Sequence, residues 1–391
     1  MCIRDRDAPV TLTTDNFKSE NGTLAVKVTD DAHSLLNTKT ASGTVYVSAN
    51  GEKGVTPASE LAKTKIMSFD QGSSVTLKGV TTMTDESMYG IVTPVSQDES
   101  AGYVGGKYEV DKNVVSDKAL RTIGAVRRAG RFIMAGMDAP LYPDSNDENV
   151  WAHWSRGNYG PGDWSGSHND LAAGVDLYHT DHSRAGISVM HSNSSLDRTE
   201  NLGEVSMKKK FTRVSLYGRH DFAGGLYAAG DVFAGGIRIK DTSLVDMSTR
   251  TAGVHAEVCV DVPAGRGTIT PLVRAAYAGI RGFTTKDGEG FPFTMKESHY
   301  SSFSAGLKAS LPLSPVSLLT AYAGWGIRTG YDIDGTMSDA WNTMDISESG
   351  KEHVKTLGIG YRCDVTPFAR LSLSAAREFS SGLHDDWNFQ V

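Results

Sequence analysis

Long apolar runs are missing from this chain. No stretch of about 18 apolar residues occurs, which excludes a membrane-spanning helix. It does not exclude a membrane-spanning sheet, where only every second residue meets lipid. Cysteine is scarce, with three in 391 residues. Cys2 lies in a charged leader, and Cys259 and Cys363 fall on opposite faces of predicted strands, which argues against a disulfide framework. Positive charge is not in excess. The net charge of −7 argues against a nucleic-acid partner. No Walker pattern occurs, so no ATP site is expected. The opening MCIRDRDAPV carries charges where a secretory leader needs an apolar stretch, so the start of the protein is expected to lie upstream. Proline is scarce at 12 residues and glycine abundant at 42, a balance suited to a crowded, strongly bent sheet.

What is present is alternation. From Trp151 onward, successive segments place apolar side chains on one face and small or polar ones on the other. The predicted strands are 149–158, 168–178, 184–193, 206–219, 225–239, 248–262, 267–281, 295–311, 316–329, 353–365, 368–379 and 387 to the end. In the second, Leu171, Ala173, Val175 and Leu177 oppose Asp170, Ala172, Gly174 and Asp176. In the sixth, Val254, Ala256 and Val258 oppose His255, Glu257, Cys259 and Asp261. In the eighth, Phe303, Ala305 and Leu307 oppose Ser304, Gly306 and Lys308. In the ninth, Ala321, Ala323 and Trp325 oppose Tyr322, Gly324, Gly326 and Arg328. In the eleventh, Leu371 and Leu373 oppose Arg370, Ser372, Ser374 and Glu378. The fifth segment admits either face.

A soluble sandwich also alternates, but its polar face is usually rich in Lys and Glu. Here that face is rich in Gly, Ser and Ala with isolated charges, which suits a narrow lumen filled by side chains. Loop lengths supply a second test. Connections after even-numbered strands are short: 179–183, 220–224, 263–266, 312–315 and 366–367. Those after odd-numbered strands are mostly longer: 159–167, 194–205, 240–247, 282–294, 330–352 and 380–386. Short turns at one rim and long loops at the other match an outer-membrane barrel. The expected fold is therefore all-β, a 12-stranded antiparallel transmembrane β-barrel. Trp154, Phe303, Trp325, Tyr361, Phe379 and Trp387 are candidates for its interfacial aromatics.

Residues 7–112 carry shorter runs: Leu24, Val26 and Val28, then Val45 and Val47, then Val75 and Leu77. The turn signals Asn21-Gly22, Asn50-Gly51 and Gln71-Gly72 separate them. The spacing suits the end of a β-solenoid, with a small sandwich as the alternative. Residues 114–137 form the one convincing helix, capped by Ser116 or Asp117. It is cationic through Lys118, Arg121, Arg127, Arg128 and Arg131, and thin through Gly124, Ala125, Ala129 and Gly130. At about 1.5 Å per residue it is long enough to span a barrel. A soluble linker helix is the alternative. The domain organisation is read as 7–112, a linker and helix over 113–148, and a barrel over 149–391.

In that order, several local patterns resemble the translocator of an autotransporter of the type V secretion class. They are Val150-Trp151-Ala152, the Asp170–Asp176 stretch, the Gly267–Tyr277 strand with Pro271, and Leu357-Gly358-Ile359-Gly360-Tyr361-Arg362. The resemblance implies export of an N-terminal passenger to the cell surface, with a helix left in the lumen. It also implies outer-membrane lipid, the barrel assembly machinery and periplasmic chaperones as partners. A host or cell-surface ligand would belong to the passenger. Family members end on a complete strand with a terminal aromatic residue; this chain ends Trp387-Asn388-Phe389-Gln390-Val391, so its last strand is expected to be truncated.

The site expected from the residues is a charged plug. Arg121, Arg127, Arg128 and Arg131 would pair with the lumen acids Asp170, Asp176, Glu257, Asp261 and Glu378, opposed by Lys308, Arg328 and Arg370. Self-cleavage would need an Asn, and Asn113 at the helix start is the nearest. A surface adhesin, a passive porin and a barrel enzyme are the competing readings. For the enzyme, His191 and Ser192 point to opposite faces, and His168, Asp170 and His299 have no distinctive spacing. Asp332-Ile333-Asp334-Gly335 lacks the glycine and glutamate positions of an EF-hand. No catalytic residue, metal or cofactor is expected.

Overall fold

The computed structural model describes residues 10–28, 33–50, 56–134, 137, 149–159, 164–200, 203–241, 246–285, 290–330, 333–366, 369–380 and 386–390. The chain separates into two units. The first is Met1–Arg121 with Ser338–Met344; the second is Thr122–Met337 with Asp345–Val391.

In the first unit, Thr11–Lys27 pairs in parallel with Leu35–Asn50. Leu35–Asn50 pairs in parallel with Ser74–Gly79 as well. Parallel register stacks like on like: Leu24 lies opposite Val47, and Val45 opposite Leu77. These side chains join Leu36, Ile66, Met67, Val75 and Val104 in one buried core. The Asn21-Gly22 signal does not end a strand here. The chain bulges between Glu20 and Gly22, with Asn21 at φ 65, and continues to Lys27. Ser19 Oγ accepts the Gly22 N–H at 3.0 Å and donates to the Thr44 carbonyl at 2.7 Å, so the neighbouring strand holds the kink. Gly43 lies opposite Ser19, where an added Cβ would sit 1.8 Å from the Ser19 carbonyl oxygen. Gln71-Gly72 does form a turn, with Gly72 at φ 91. Gly51 lies outside the described residues.

In the second unit, twelve strands close a ring. They are Val150–Tyr159, Trp164–His179, Ser183–Glu200, Gly203–Asp221, Leu226–Asp241, Asp246–Val260, Gly267–Ile280, Ser298–Ser314, Ser317–Thr329, Lys351–Thr366, Ala369–Ser380 and Asp386–Gln390. Each is antiparallel to the next, and Asp386–Gln390 pairs with both the eleventh strand and the first. Several strands outrun their predicted ends on the long-loop side. The third continues to Glu200, where it pairs with Gly203. Alternation marks only the part of a strand that meets lipid, whereas backbone pairing continues into water. The loops after the seventh and ninth strands pair as a four-stranded sheet: Phe283–Thr284, Phe293–Met295, Ile333–Ser338 and Thr343–Glu348.

The faces of this ring are reversed relative to a soluble protein. Leu171, Leu177, Val214, Leu216, Val232, Leu307 and Ile359 are exposed on the outside, Leu216 by 64% and Val232 by 61%. Arg213, Ser215, Asp231, His255, Glu257 and Thr270 are buried on the inside. An apolar exterior this continuous is stable against hydrocarbon and costly against water. Closure covers the sheet edge where the twelfth strand pairs, at Ser155–Asn158 of the first strand and Ser374–Glu378 of the eleventh; unpaired backbone groups in lipid would cost several kcal/mol each. Trp154, Phe303, Trp325, Tyr361 and Phe379 are exposed; the Trp387 side chain lies outside the described residues. The fifth strand resolves with Tyr227, Asp231, Phe233, Ile237 and Ile239 inward and Val232, Arg238 and Lys240 outward. Its apolar residues divide between the two faces, which is why its pattern was ambiguous. Cys259 is a buried free thiol on the inner face, and Cys363 is free and half-buried.

Candidate functional site

Asp117–Met134 is an α-helix of 18 residues, about 27 Å long. Ser116 Oγ accepts the Ala119 N–H at 3.3 Å, and Asp117 places a negative charge at the helix's positive end. Ala119, Ala125, Val126, Ala129, Gly130 and Ile133 are buried. Small residues let neighbours approach: a Cβ on Gly130 would meet Ile333 at 2.3 Å. Thr122 Oγ1 accepts the Phe291 N–H at 3.2 Å, so the paired long loops touch the helix at two heights.

The barrel wall holds the helix end through the main chain. Lys209 Nζ donates to the Phe132 carbonyl at 3.1 Å and lies 4.9 Å over the Phe132 ring. A cation at a helix C-terminus complements the carbonyls left without intrahelical partners. Further along the chain, His255 Nε2 donates to the Met137 carbonyl at 2.7 Å. The other ring nitrogen faces Asp231 Oδ1 at 2.9 Å, and Phe233 stacks on the imidazole at 5.1 Å. Arg213 is fully buried beside them, its guanidinium 4.9 Å from the Phe233 ring.

Among the described side chains, the helix arginines pair with acids other than those named from the sequence. Arg127 pairs with Glu348 at 3.1 Å and Arg128 with Asp241 at 3.7 Å. Arg121 is exposed, and the Arg131 side chain lies outside the described residues. The wall acids find their partners within the wall, although Asp170 Oδ1 is buried without a hydrogen bond. Asp170 meets His168 at 3.0 Å and Ser155 at 3.2 Å. Asp176 meets the Tyr217 hydroxyl at 2.6 Å, His179 at 3.0 Å and Arg184 at 3.8 Å. Arg274 donates to Glu257, and Thr270 donates to Asp261 at 2.5 Å. Arg328 binds Glu378 at 2.5 and 3.0 Å and lies 3.8 Å from Glu352. Arg370 pairs with Asp364 at 2.5 Å. Lys308 lies on the inner register opposite Thr270 and Tyr322. Neighbours along and across the wall strands lie within direct contact of one another, so short wall pairs win.

Sequence reasoning missed Lys209, Asp231, Asp241 and Glu348. Parity shows the first, because the middle residue of Lys208-Lys209-Lys210 must face opposite to its neighbours. Asp231 lay on the ambiguous strand, and Asp241 and Glu348 lay in segments read as loops. Among the enzyme candidates, His191 meets Thr212 at 2.8 Å while Ser192 is buried on the opposite face. His299 is exposed and stacks on Tyr277, away from the His168–Asp170 pair. Asp334 pairs with Lys296 at 3.0 Å, and Asp332 lies outside the described residues. Asn113 bonds to Asp111 at 3.0 and 3.1 Å. Among the described residues, no group of three or more His, Cys, Asp or Glu is placed to hold a metal ion.

Comparison with known proteins now decides the family. The profile of the autotransporter beta-domain matches residues 149–376, more than half of the chain. The chain belongs to the autotransporter family. The fold is similar to that of the transport unit of the autotransporter AIDA-I from Escherichia coli, with 16% identity and a TM-score of 0.53. That match covers 69% of this chain and 96% of the other. The beta domain of the Bordetella autotransporter BrkA matches at 15% identity, TM-score 0.47, covering 62% and 96%. The translocator domain of the autotransporter NalP from Neisseria meningitidis matches at 15% identity, TM-score 0.43, covering 70% and 95%. A search of curated protein sequences finds no match. As an autotransporter beta-domain, the ring is an outer-membrane translocator, a transport domain whose exposed apolar wall faces lipid.

Proposed function

We propose that this autotransporter exports its own residues 7–112, with whatever precedes them, through the barrel of 149–391. Residues 113–148 then stay behind as a linker and plug. The observation that carries this reading is the main-chain grip of Lys209 on Phe132 and of His255 on Met137. Contacts to carbonyls, which every residue carries, suit a conduit through which many sequences pass. A passive porin has no use for a helix gripped in this way. The parallel pairing of Thr11–Lys27, Leu35–Asn50 and Ser74–Gly79 supports a solenoid end for the passenger. Folding of such a segment outside the cell would pull the chain outward without ATP. The assembly machinery and periplasmic chaperones would deliver the barrel, and any adhesive or enzymatic activity would reside in the passenger.

Proteolysis of intact cells tests this. An epitope placed after Thr14 should disappear while the barrel survives as a protected fragment. An epitope shielded until the cells are broken would leave only a pore.

A further inference from the structure

Five cations gather on the outer wall at the long-loop end of strands four to six: Lys208, Lys210, Arg238, Lys240 and Arg250. All five are exposed, while Met207, Lys209, Ile237, Ile239, Thr249 and Thr251 between them are buried on the inside. The register places Lys208 directly opposite Lys240 and Lys210 directly opposite Arg238, and Arg250 opposite Gly236. Like charges facing each other across a strand pair repel. Two described carboxylates share the patch. Asp246 bonds Arg238 at 3.0 Å and Lys240 at 3.1 Å, and Asp197 on the third strand is exposed beside it. The register row of Lys210 is uncharged at Asn193 on the third strand and Asn169 on the second, and carries one exposed cation, Arg156, on the first.

Below the cations, in the same columns, the wall turns apolar. One row down from Arg250 lie Val214, Ala234 and Ala252 in register, and then Leu216, Val232 and Val254. Rows are spaced about 7 Å along the strand. An anionic head and a hydrocarbon tail would each find its match on one continuous strip. We propose that this strip binds a phosphate-bearing lipid of the outer leaflet. Its phosphates would lie among Lys208, Lys210, Arg238, Lys240 and Arg250, and its acyl chains over Val214, Leu216, Val232 and Val254. Asp246 answers Arg238 and Lys240, so the phosphate adds negative charge where Lys208, Lys210 and Arg250 stand, and bidentate recognition falls to Arg250. The site is separate from the lumen and from export.

The test measures binding of lipopolysaccharide, and of the same lipid with its phosphates removed, to the full chain folded in detergent. Lys210→Gln and Arg250→Gln are each compared with Arg266→Gln, which removes an exposed cation from a turn at the opposite rim. Heat-dependent gel mobility confirms that each variant is folded. Each patch variant should weaken phosphorylated-lipid binding roughly fivefold, with a shallower salt dependence, while Arg266→Gln leaves it unchanged. The dephosphorylated lipid should bind every variant equally weakly. Equal binding by patch and control variants, or tight binding of the dephosphorylated lipid, overturns the proposal. Displacement of the lipid by an equal concentration of inorganic phosphate would assign the patch to a soluble anion and overturn it as well.

Discussion

The two units of this chain are built on opposite solvent rules. In the first, Val47, Ile66 and Val104 are fully buried, and Lys18, Glu20 and Lys39 stand in water. In the second, Val214, Leu216 and Val232 stand outside, and Arg213, Asp231 and His255 are buried. Both use alternating strands, so alternation alone distinguishes neither. What distinguishes them is the residue class opposite the apolar face. Charged residues abound there in the first unit, and small residues with locally paired charges line the second. A sheet can thus be read as wet or lipid-facing from its polar side.

The sharpest way to break that comparison is one substitution in each unit. Val47→Asp places an unpaired carboxylate in the first core and should cost more than about 4 kcal/mol, unfolding that unit. Limited trypsin digestion of the full chain should then lose the fragment before the helix and spare the barrel. Val232→Arg should cost about 2–4 kcal/mol when the barrel refolds into bilayers, because the outward side chain meets hydrocarbon near mid-wall. A bilayer refolding titration that left the midpoint unchanged would place Val232 in water and undo the lipid-facing assignment.

A smaller effect is expected from the helix. Arg127→Glu with Arg128→Glu sets like charges against Glu348 and Asp241, loosening the helix by about 1–3 kcal/mol. Single-channel conductance of the reconstituted chain should rise, and adding Asp241→Arg and Glu348→Arg should bring it down again. Unchanged conductance in the double variant would remove these pairs from the sealing of the pore.

The smallest effect concerns a wet turn of the first unit. Asp98 accepts the Ser100 and Ala101 N–H groups at 2.9 and 2.7 Å and the Tyr103 hydroxyl at 2.9 Å. These bonds, led by that from Ser100, lower its pKa below the usual carboxylate value of 3.8. Because the folded value is lower, the turn's contribution is present above 3.8 and fades as pH falls through the lowered value. Amide exchange at Ser100 and Ala101 should accelerate only in that acid range. The phenol of Tyr103 is shifted the other way, upward, by its bond to the Asp98 carboxylate.

Much of the barrel was legible in Trp151 and beyond, because lipid imposes a period of two that water does not enforce so strictly. Strand ends were not legible. The third and fourth strands run past their apolar stretch to Glu200 and Gly203, held by hydrogen bonds that any residue can make. Nor were the ion pairs. Arg128 finds Asp241 and Arg328 finds Glu378, and nothing in a linear order of charges ranks those partners above others.

Composition and parity were enough to imply a closed wall, its lipid side and its long-loop rim, since each follows from the transfer of side chains between water and hydrocarbon. The choice of partners along the inner wall, the grip of Lys209 and His255 on backbone carbonyls, and the conversion of Asn21-Gly22 from turn to bulge came from neighbours distant in sequence. Those are matters of distance in a narrow space, which a one-dimensional pattern does not carry.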